Sequence, residues 1–446
     1  MPVSPARGAA FDILLRVERE SSFASELLHS KTFTKLSDVD HALATELVMG
    51  VLRWRSRLDL EIASASTQPL QKLDLEVLIA LRLAAYQFGW LDRIPRRAAL
   101  HESVELAKRA RKRSAAPFVN AVLRKLSTRT LMRDSDAASS SSEALARTWA
   151  HPEWLVERWA SAYGIVPAGQ LCRYDQSVPV AAIRLRSDKA GEQLLQEGIG
   201  LEEGALLSSA RRVTKGDITK TTAFREGNVV IQDEASQLAA ALVGKNLGAH
   251  TEILDCCAAP GGKSLVIADR NPQASLTAME LHPHRARLLQ NIVRDTRVHI
   301  VIGDAARLPT TATFNRILAD VPCSGTGTFA RNPEIKWRLQ PRDLPDLQAR
   351  QRAILLSAMA HTAPGGRLVY STCSLEREEN EELIEPALQQ NHDFRLLDTA
   401  TELQAMQSAG EVTWPDIASL TRGPYLRTIP GVHPCDGFFA AILEKH

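Results

Sequence analysis

The sequence predicts a multidomain chain: an all-α front part, a small α+β middle region and a C-terminal α/β domain built on a parallel sheet. Three observations predict this. Apolar residues recur at helical spacing through the first 130 positions. A serine-rich stretch of low complexity follows. Beyond about residue 240, short apolar strands alternate with helical stretches. At 446 residues the chain is long enough for two or three separate cores. The expected divisions are a helical domain at 1–130, a flexible linker at 131–149, an α+β region at 150–235 and the α/β domain at 236–446.

In chain order, "RGAAFDILLRVERE" places Phe11, Leu14 and Leu15 on one helix face. "DVDHALATELVMGVLRWRSRLDLEI" repeats the pattern through Leu43, Leu47, Val51 and Trp54, with Asp38 or Asp40 as the expected N-cap. "LEVLIALRLAAYQFGWL" is apolar around most of its surface, the mark of a central bundle helix. A basic cluster follows with Lys108, Arg109, Arg111, Lys112 and Arg113. Residues 1–130 carry 21 Lys+Arg against 14 Asp+Glu, whereas the whole chain nets only +2. That asymmetry points to a polyanion partner, most simply nucleic acid; a solvated helix face is the competing reading. "RDSDAASSSSEALA" has the composition of a flexible linker.

In the middle region "HPEWLVERWASAYG" reads as a helix, and "VAAIRLRS" and "GNVVIQDEAS" as strands. The α/β domain offers "TEILDC", "SLTAMEL", "VHIVIGD", "FNRILADV", "GRLVYSTC" and "GFFAAIL" as strands with helical stretches between most of them. Such βαβ order implies a parallel sheet covered on both faces. The first 20 residues lack a basic segment followed by an uninterrupted apolar stretch, and no run of about 18 apolar residues occurs. A cytoplasmic location with no membrane partner is therefore expected. Six cysteines, none in a C-x-x-C pair, argue for reduced thiols without a metal or a disulfide framework.

Ligands of open parallel sheets bind beyond the carboxyl ends of the strands. The first strand runs into "DCCAAPGGKS", which ends like a phosphate-binding loop. However, Cys257 stands where that pattern requires glycine, and Pro260 removes a backbone N–H. The second strand ends at Glu280, 17 residues after Lys263, near the distance at which an acid accepts a ribose diol. The third ends at Asp304. This constellation fits a Rossmann-like site for an adenosine-containing cofactor; glycine and acid merely terminating strands is the alternative.

The next two strands end in "ADVPCSGTG" with Cys323 and "VYSTCS" with Cys373. A lone cysteine is usually a small buried hydrophobe, but two at neighbouring strand mouths would face the cofactor's crevice. Carbon 5 of a pyrimidine is a poor nucleophile. Attack of a thiolate on carbon 6 makes it enamine-like and able to take a methyl group from S-adenosyl-L-methionine. A base must then remove the carbon 5 proton, and an acid such as Asp320 would stabilise the pyrimidine through its polar edge. Position alone does not say which thiol attacks.

Together, "VIQDEASQLAA", "DCCAAPGGKS", "DVPCSGTGTFARNPEIKW" and "YSTCSLEREENE" resemble the RNA 5-methylcytosine methyltransferase family. The helical basic front resembles the domain shared with antitermination factor NusB, so the resemblance covers nearly the whole chain. It implies a class I methyltransferase domain binding S-adenosyl-L-methionine through Cys257, Ala258, Ala259, Pro260, Gly261, Gly262 and Lys263. It further implies Glu280 at the ribose, Asp304 on the adenine side and Asp320 between cofactor and cytosine. Cys373 would be the nucleophile and Cys323 the helper in product release. The implied substrate is 16S ribosomal RNA, and the expected state a monomer.

Two departures stand out: Val321 replaces the usual alanine after Asp320, and Cys256 doubles the cysteine of the loop, where it is expected to pack inward. Enzymes methylating amino groups place Asn or Asp, Pro-Pro and an aromatic where this chain has "DVPC". DNA 5-methylcytosine enzymes use Pro-Cys-Gln, but Ser324 follows Cys323 here. Transfer RNA is the alternative substrate. A non-catalytic RNA-binding assembly factor is the alternative from another class, and the intact glycine loop and Cys373 weigh against it.

Overall fold

Recurring apolar residues every three to four positions make one helix face bury itself against another, and the front of the chain is built this way. The computed structural model describes residues 3–20, 22–30, 33, 35–129, 141–293 and 297–446. It divides into two compact units: Met1–Val178 with Phe329–Arg338, and Pro179–Thr328 with Leu339–His446.

The first unit contains α1 (Pro5–Glu20), α2 (Ala24–Leu28), α3 (Asp38–Ala65), α4 (Leu75–Trp90), α5 (Arg96–Arg109), α6 (Ala116–Ser127), α7 (Ser142–Thr148), α8 (Glu153–Tyr163) and α9 (Ile165–Asp175). Helix α4 is its centre, buried at Val77 and from Ile79 through Gly89. Helix α1 buries Phe11, Ile13, Leu14 and Val17, leaving Leu15 half-buried. The cap of α3 is Ser37, not Asp38 or Asp40: its hydroxyl accepts the Asp40 N–H at 3.2 Å. Both aspartates fall in the first turn, where the helix dipole favours them. Of the expected linker, 131–140 lie outside the described residues, while 142–148 form α7, capped by Ser141.

Residues 150–178 pack with this helical unit, although the sequence groups them with the strands that follow. The amphipathic faces of α8 and α9 explain it, burying Leu155, Val156, Trp159, Ala168 and Leu171. More distant in sequence, Phe329–Arg338 belongs to the same unit. There Trp337 Nε1 donates to Leu52 O at 2.6 Å and Arg53 Nη2 to Ala330 O at 2.9 Å. Fully buried Lys336 donates to Arg53 O at 3.0 Å and Ala150 O at 3.2 Å.

The second unit opens with an antiparallel sheet of β1 (Ala181–Leu185), β2 (Gly200–Glu203), β3 (Ala210–Lys215) and β4 (Val229–Ile231), in the order β2-β3-β1-β4. Helices α10 (Asp188–Gln196) and α11 (Thr222–Arg225) supply Ala190, Leu194 and Ala223 to its core around Ile183.

The larger sheet holds β5 (Glu252–Asp255), β6 (Ser275–Glu280), β7 (Val298–Ile302), β8 (Phe314–Asp320), β9 (Thr362–Thr372), β10 (Phe394–Leu397), β11 (Thr421–Arg422), β12 (Tyr425–Thr428) and β13 (Phe438–Lys445). Its order is β11-β12-β13-β9-β8-β5-β6-β7, with β10 also paired to β13. Strands β5 to β9 are parallel, but β13 runs antiparallel to β9, and β10 and β12 antiparallel to β13. The expected parallel sheet is thus mixed, because an apolar run such as Phe438–Leu443 reports burial on both faces but not direction.

Alternation along the strands sends Leu318 and Val369 to one core and Ile317, Ala319, Leu368 and Tyr370 to the other. The chain steps from β5 outward through β6 and β7, then returns to the other side of β5 with β8. Helix α12 (Glu234–Ala241) precedes β5, and that reversal opens a crevice at the carboxyl ends, where α13 (Gly262–Arg270) and α14 (Pro283–Ile292) begin after β5 and β6.

Candidate active site

A pocket occupies this switch point. Cys257, Ala259, Glu280, Asp304, Asp320, Cys323 and Cys373 all line it, joined by Gly303, His282 and Arg285. Ala258, Pro260, Gly261, Gly262 and Lys263 are not among its lining residues. Their part is to shape the wall. Ala258 is buried, with its N–H bonded to Met279 O at 2.8 Å. Gly261 holds φ +119°, a conformation that L side chains rarely adopt, and turns the chain into α13.

Each acid is held by its local backbone. Glu280 is buried at the end of β6, and its Oε1 accepts the His282 N–H at 2.9 Å. Asp304 is exposed and caps the following turn through the Ala306 N–H at 2.9 Å. Asp320 accepts from Ser371 Oγ at 2.8 Å and pairs with Lys263 Nζ at 2.8 Å. Asp320 and Ser371 are register partners on β8 and β9, so strand pairing sets the first contact. Burial works against the Lys263 charge, but the field and hydrogen bond of Asp320 outweigh it and raise the ammonium. Beneath the loop, burial pushes Asp255 up to about 7 against the hydrogen bond from Ser264 Oγ.

The two thiols meet. Cys323 Sγ lies 3.3 Å from Cys373 Sγ, and all six cysteines are free. The hydrogen bond with Cys373, then burial, pushes the Cys323 thiol well up, so it is held neutral. Cys256 stands one residue past β5 rather than in the strand, and although buried in the core it also lines the pocket. Val321 lines the pocket, and its N–H bonds to Ser371 O at 3.0 Å, so the larger side chain leaves Asp320 bonded on both sides. Sequence reasoning missed Ser371, although it lies two residues before Cys373 at the end of β9, the strand mouth already singled out. It also missed the Lys263–Asp320 pair, for which no sequence spacing gives a signal.

Comparison with known proteins agrees with this architecture. Residues 244–444 match the family model described as 16S rRNA methyltransferase RsmB/F, and residues 4–128 match the NusB family. The chain is 35% identical to the probable ribosomal RNA small subunit methyltransferase B of Bacillus subtilis over the whole of both proteins. It is 31% identical to ribosomal RNA small subunit methyltransferase B of Cronobacter sakazakii, covering 92% of each. The crystal structure of PH0851 shares the fold with a TM-score of 0.80 at 22% identity, over 100% of both chains. NSun6 from Pyrococcus horikoshii with SFG shares it with a TM-score of 0.56 at 19% identity, over 66% of this chain and 98% of that one.

Fold and pocket therefore define a methyltransferase domain carried with a NusB-like helical domain. The chain belongs to the 16S rRNA methyltransferase RsmB/F family, and is an RNA methyltransferase. Among the described residues no helix is long and apolar enough to cross a membrane.

Proposed function

We propose that this protein transfers a methyl group from S-adenosyl-L-methionine to carbon 5 of a cytosine in 16S ribosomal RNA, through a covalent bond to Cys373. The observation that carries the reading is the pair of thiols 3.3 Å apart in a pocket that also holds Glu280 and Asp320. The names of the relatives support a ribosomal RNA substrate, and the SFG held by NSun6 is an analogue of the proposed cofactor.

The pocket residues fit that cofactor. Glu280 keeps acceptor lone pairs after its bond to His282, enough for a ribose diol. Gly303 offers bare backbone where a Cβ would crowd Met279 Sδ at 3.2 Å, and Ala305, Val321 and Ile354 add apolar wall. Asp304 lies on the adenine side. The cofactor supplies an electrophilic methyl group. Asp320, oriented by Lys263 and Ser371, holds the base between cofactor and thiols. The Cys373 thiolate attacks carbon 6, forming a sulfur–carbon bond that makes carbon 5 nucleophilic. After carbon 5 takes the methyl group, Cys323 gives its own proton to solvent and, as thiolate, takes the proton from carbon 5; the electron pair re-forms the ring double bond and Cys373 leaves as thiolate.

Covalent trapping tests the roles. Cys323→Ala should accumulate a protein–RNA species that survives denaturing electrophoresis, and Cys373→Ala should form none and methylate nothing. The opposite pattern would reverse the two roles. Bisulfite sequencing of RNA from cells with and without the gene tests the substrate. Gene-dependent protection confined to transfer RNA, or absent altogether, would sink the assignment to 16S ribosomal RNA.

A further inference from the structure

Behind the two thiols sits a carboxylate that the transfer reaction does not use. Glu379 is fully buried in the turn just before the helix Glu381–Gln390. An isolated carboxylate there would be strongly disfavoured, so its partners matter. Its Oε1 accepts the Ser324 N–H at 2.8 Å and Gln351 Nε2 at 2.7 Å. Its Oε2 accepts from the hydroxyls of Ser324 and Ser374.

These partners are not scattered. Ser324 directly follows Cys323, and Ser374 directly follows Cys373. Gln351 also donates to the carbonyl of Pro322, the residue before Cys323, at 2.9 Å. The Glu379 backbone is itself anchored, its carbonyl accepting from Tyr370 Oη at 2.8 Å. One carboxylate therefore ties both cysteine loops together through four donors, and bonds to a charged acceptor are the strong kind.

We propose that Glu379 is a positioning residue that fastens the Cys323 loop to the Cys373 loop and so sets the spacing of the two thiols. The proposal rests on the reading of both thiols as reacting groups, but its test does not require methyl transfer. The buried charge has a second consequence. Together with the Cys373 hydrogen bond and burial, it raises Cys323 and keeps that thiol neutral. The other titratable group packed behind Cys323 is Tyr370, itself held neutral by burial.

The test is alkylation of Cys323 and Cys373 by iodoacetamide across pH, each site followed by mass spectrometry on the full chain. Glu379→Gln keeps the size and removes the charge; the Cys323 profile should move to lower pH by about half a unit or more. Glu379→Asp keeps the charge and shortens the reach, so its profile should stay near that of the parent. In both variants kcat should fall while the KM for S-adenosyl-L-methionine stays unchanged. Unmoved thiol profiles in Glu379→Gln, with or without lost activity, would overturn the proposal. Should that variant fail to fold, Ser374→Ala decides: removing one donor should lower kcat severalfold with cofactor binding intact, and a parental kcat would overturn the role. Parental alkylation behaviour coupled to absent methylation in the unmodified protein would instead count against the reaction proposed above.

Discussion

Two lysines, Lys336 fully buried in the helical unit and Lys263 half-buried in the other, take opposite electrostatic fates. Lys336 of the helical unit meets two backbone carbonyls and the Trp337 ring, and burial pulls it down to about 7. Lys263 of the methyltransferase unit meets Asp320 at 2.8 Å and is raised despite its burial. Carbonyl dipoles satisfy an ammonium's hydrogen bonds but do not offset the loss of water around its charge; a carboxylate does both. Lys336 therefore serves packing, and Lys263 holds the Asp320 carboxylate in place at the pocket.

Breaking the second lysine should have the largest effect. Lys263→Met leaves Asp320 with only Ser371 and should lower kcat/KM for methyl transfer by roughly a hundredfold, about 2.7 kcal/mol of transition-state stabilisation. Steady-state incorporation of labelled methyl into RNA measures it. Parental activity would mean that the pair only packs.

Breaking the first lysine should change stability with pH rather than catalysis. The folded-state pKa of Lys336 lies at about 7, below the 10.5 of a free lysine. Between those values the unfolded chain binds more protons, so this residue makes stability rise with pH across that window, by at most about 1.4 kcal/mol per pH unit. Below about pH 7 both states are protonated and its slope vanishes. Lys336→Met should lack the rise. Six of the seven tryptophans lie in the helical unit, so denaturant midpoints read by tryptophan fluorescence at several pH values follow it. Equal slopes in parent and variant would refute the assignment.

The pocket's two halves sharpen the contrast further. Glu280 lies at the end of β6, two strands from β8, and in the proposed reaction it binds the cofactor rather than takes part in the chemistry. Glu280→Ala should weaken S-adenosyl-L-methionine at least about tenfold, each lost charge-assisted hydrogen bond counting for roughly 1.5–3 kcal/mol. Calorimetric titration of the folded variant measures it. A parental affinity would remove Glu280 from the cofactor site.

How much of this was legible depended on whether the deciding neighbour was local. Glu280, Asp304, Asp320, Cys323 and Cys373 could be read because each stands at or just past the carboxyl end of a strand, and strand ends of a parallel sheet converge. Cys257 and Ala259 followed from the same loop. The helical placement of Phe329–Arg338 could not be read, since Trp337 and Lys336 find their partners at Leu52, Arg53 and Ala150. The direction of β13 was hidden because burial pattern carries no polarity. Glu379 stood in plain view within "YSTCSLEREENE", yet four acids crowd that stretch, Glu376 is buried too, and only tertiary packing shows which one binds both cysteine loops.

The smallest effect concerns the basic cluster, where the same question of partners recurs at the surface. Lys108 pairs with Glu105 at 2.7 Å, Arg109 with Asp12 at 2.6 Å and Lys112 with Asp74 at 3.0 Å. Arg111 and Arg113 are exposed, and among the described residues no ion pair holds them. A phosphate competes with an existing carboxylate at the first three positions but meets only water and counterions at the other two. RNA binding by the full chain should therefore weaken with salt, and each arginine contacting a phosphate contributes about one unit to the slope of log affinity against log salt. Arg111→Ala with Arg113→Ala should flatten that slope by up to about two units. The triple change of Lys108, Arg109 and Lys112 to Ala should flatten it less, because it also frees three carboxylates whose pairing already offset those charges. Filter binding to a structured RNA across a salt series separates the two variants. A larger change from the triple variant would show that those ion pairs open to the RNA backbone, and the cluster would then act as a whole.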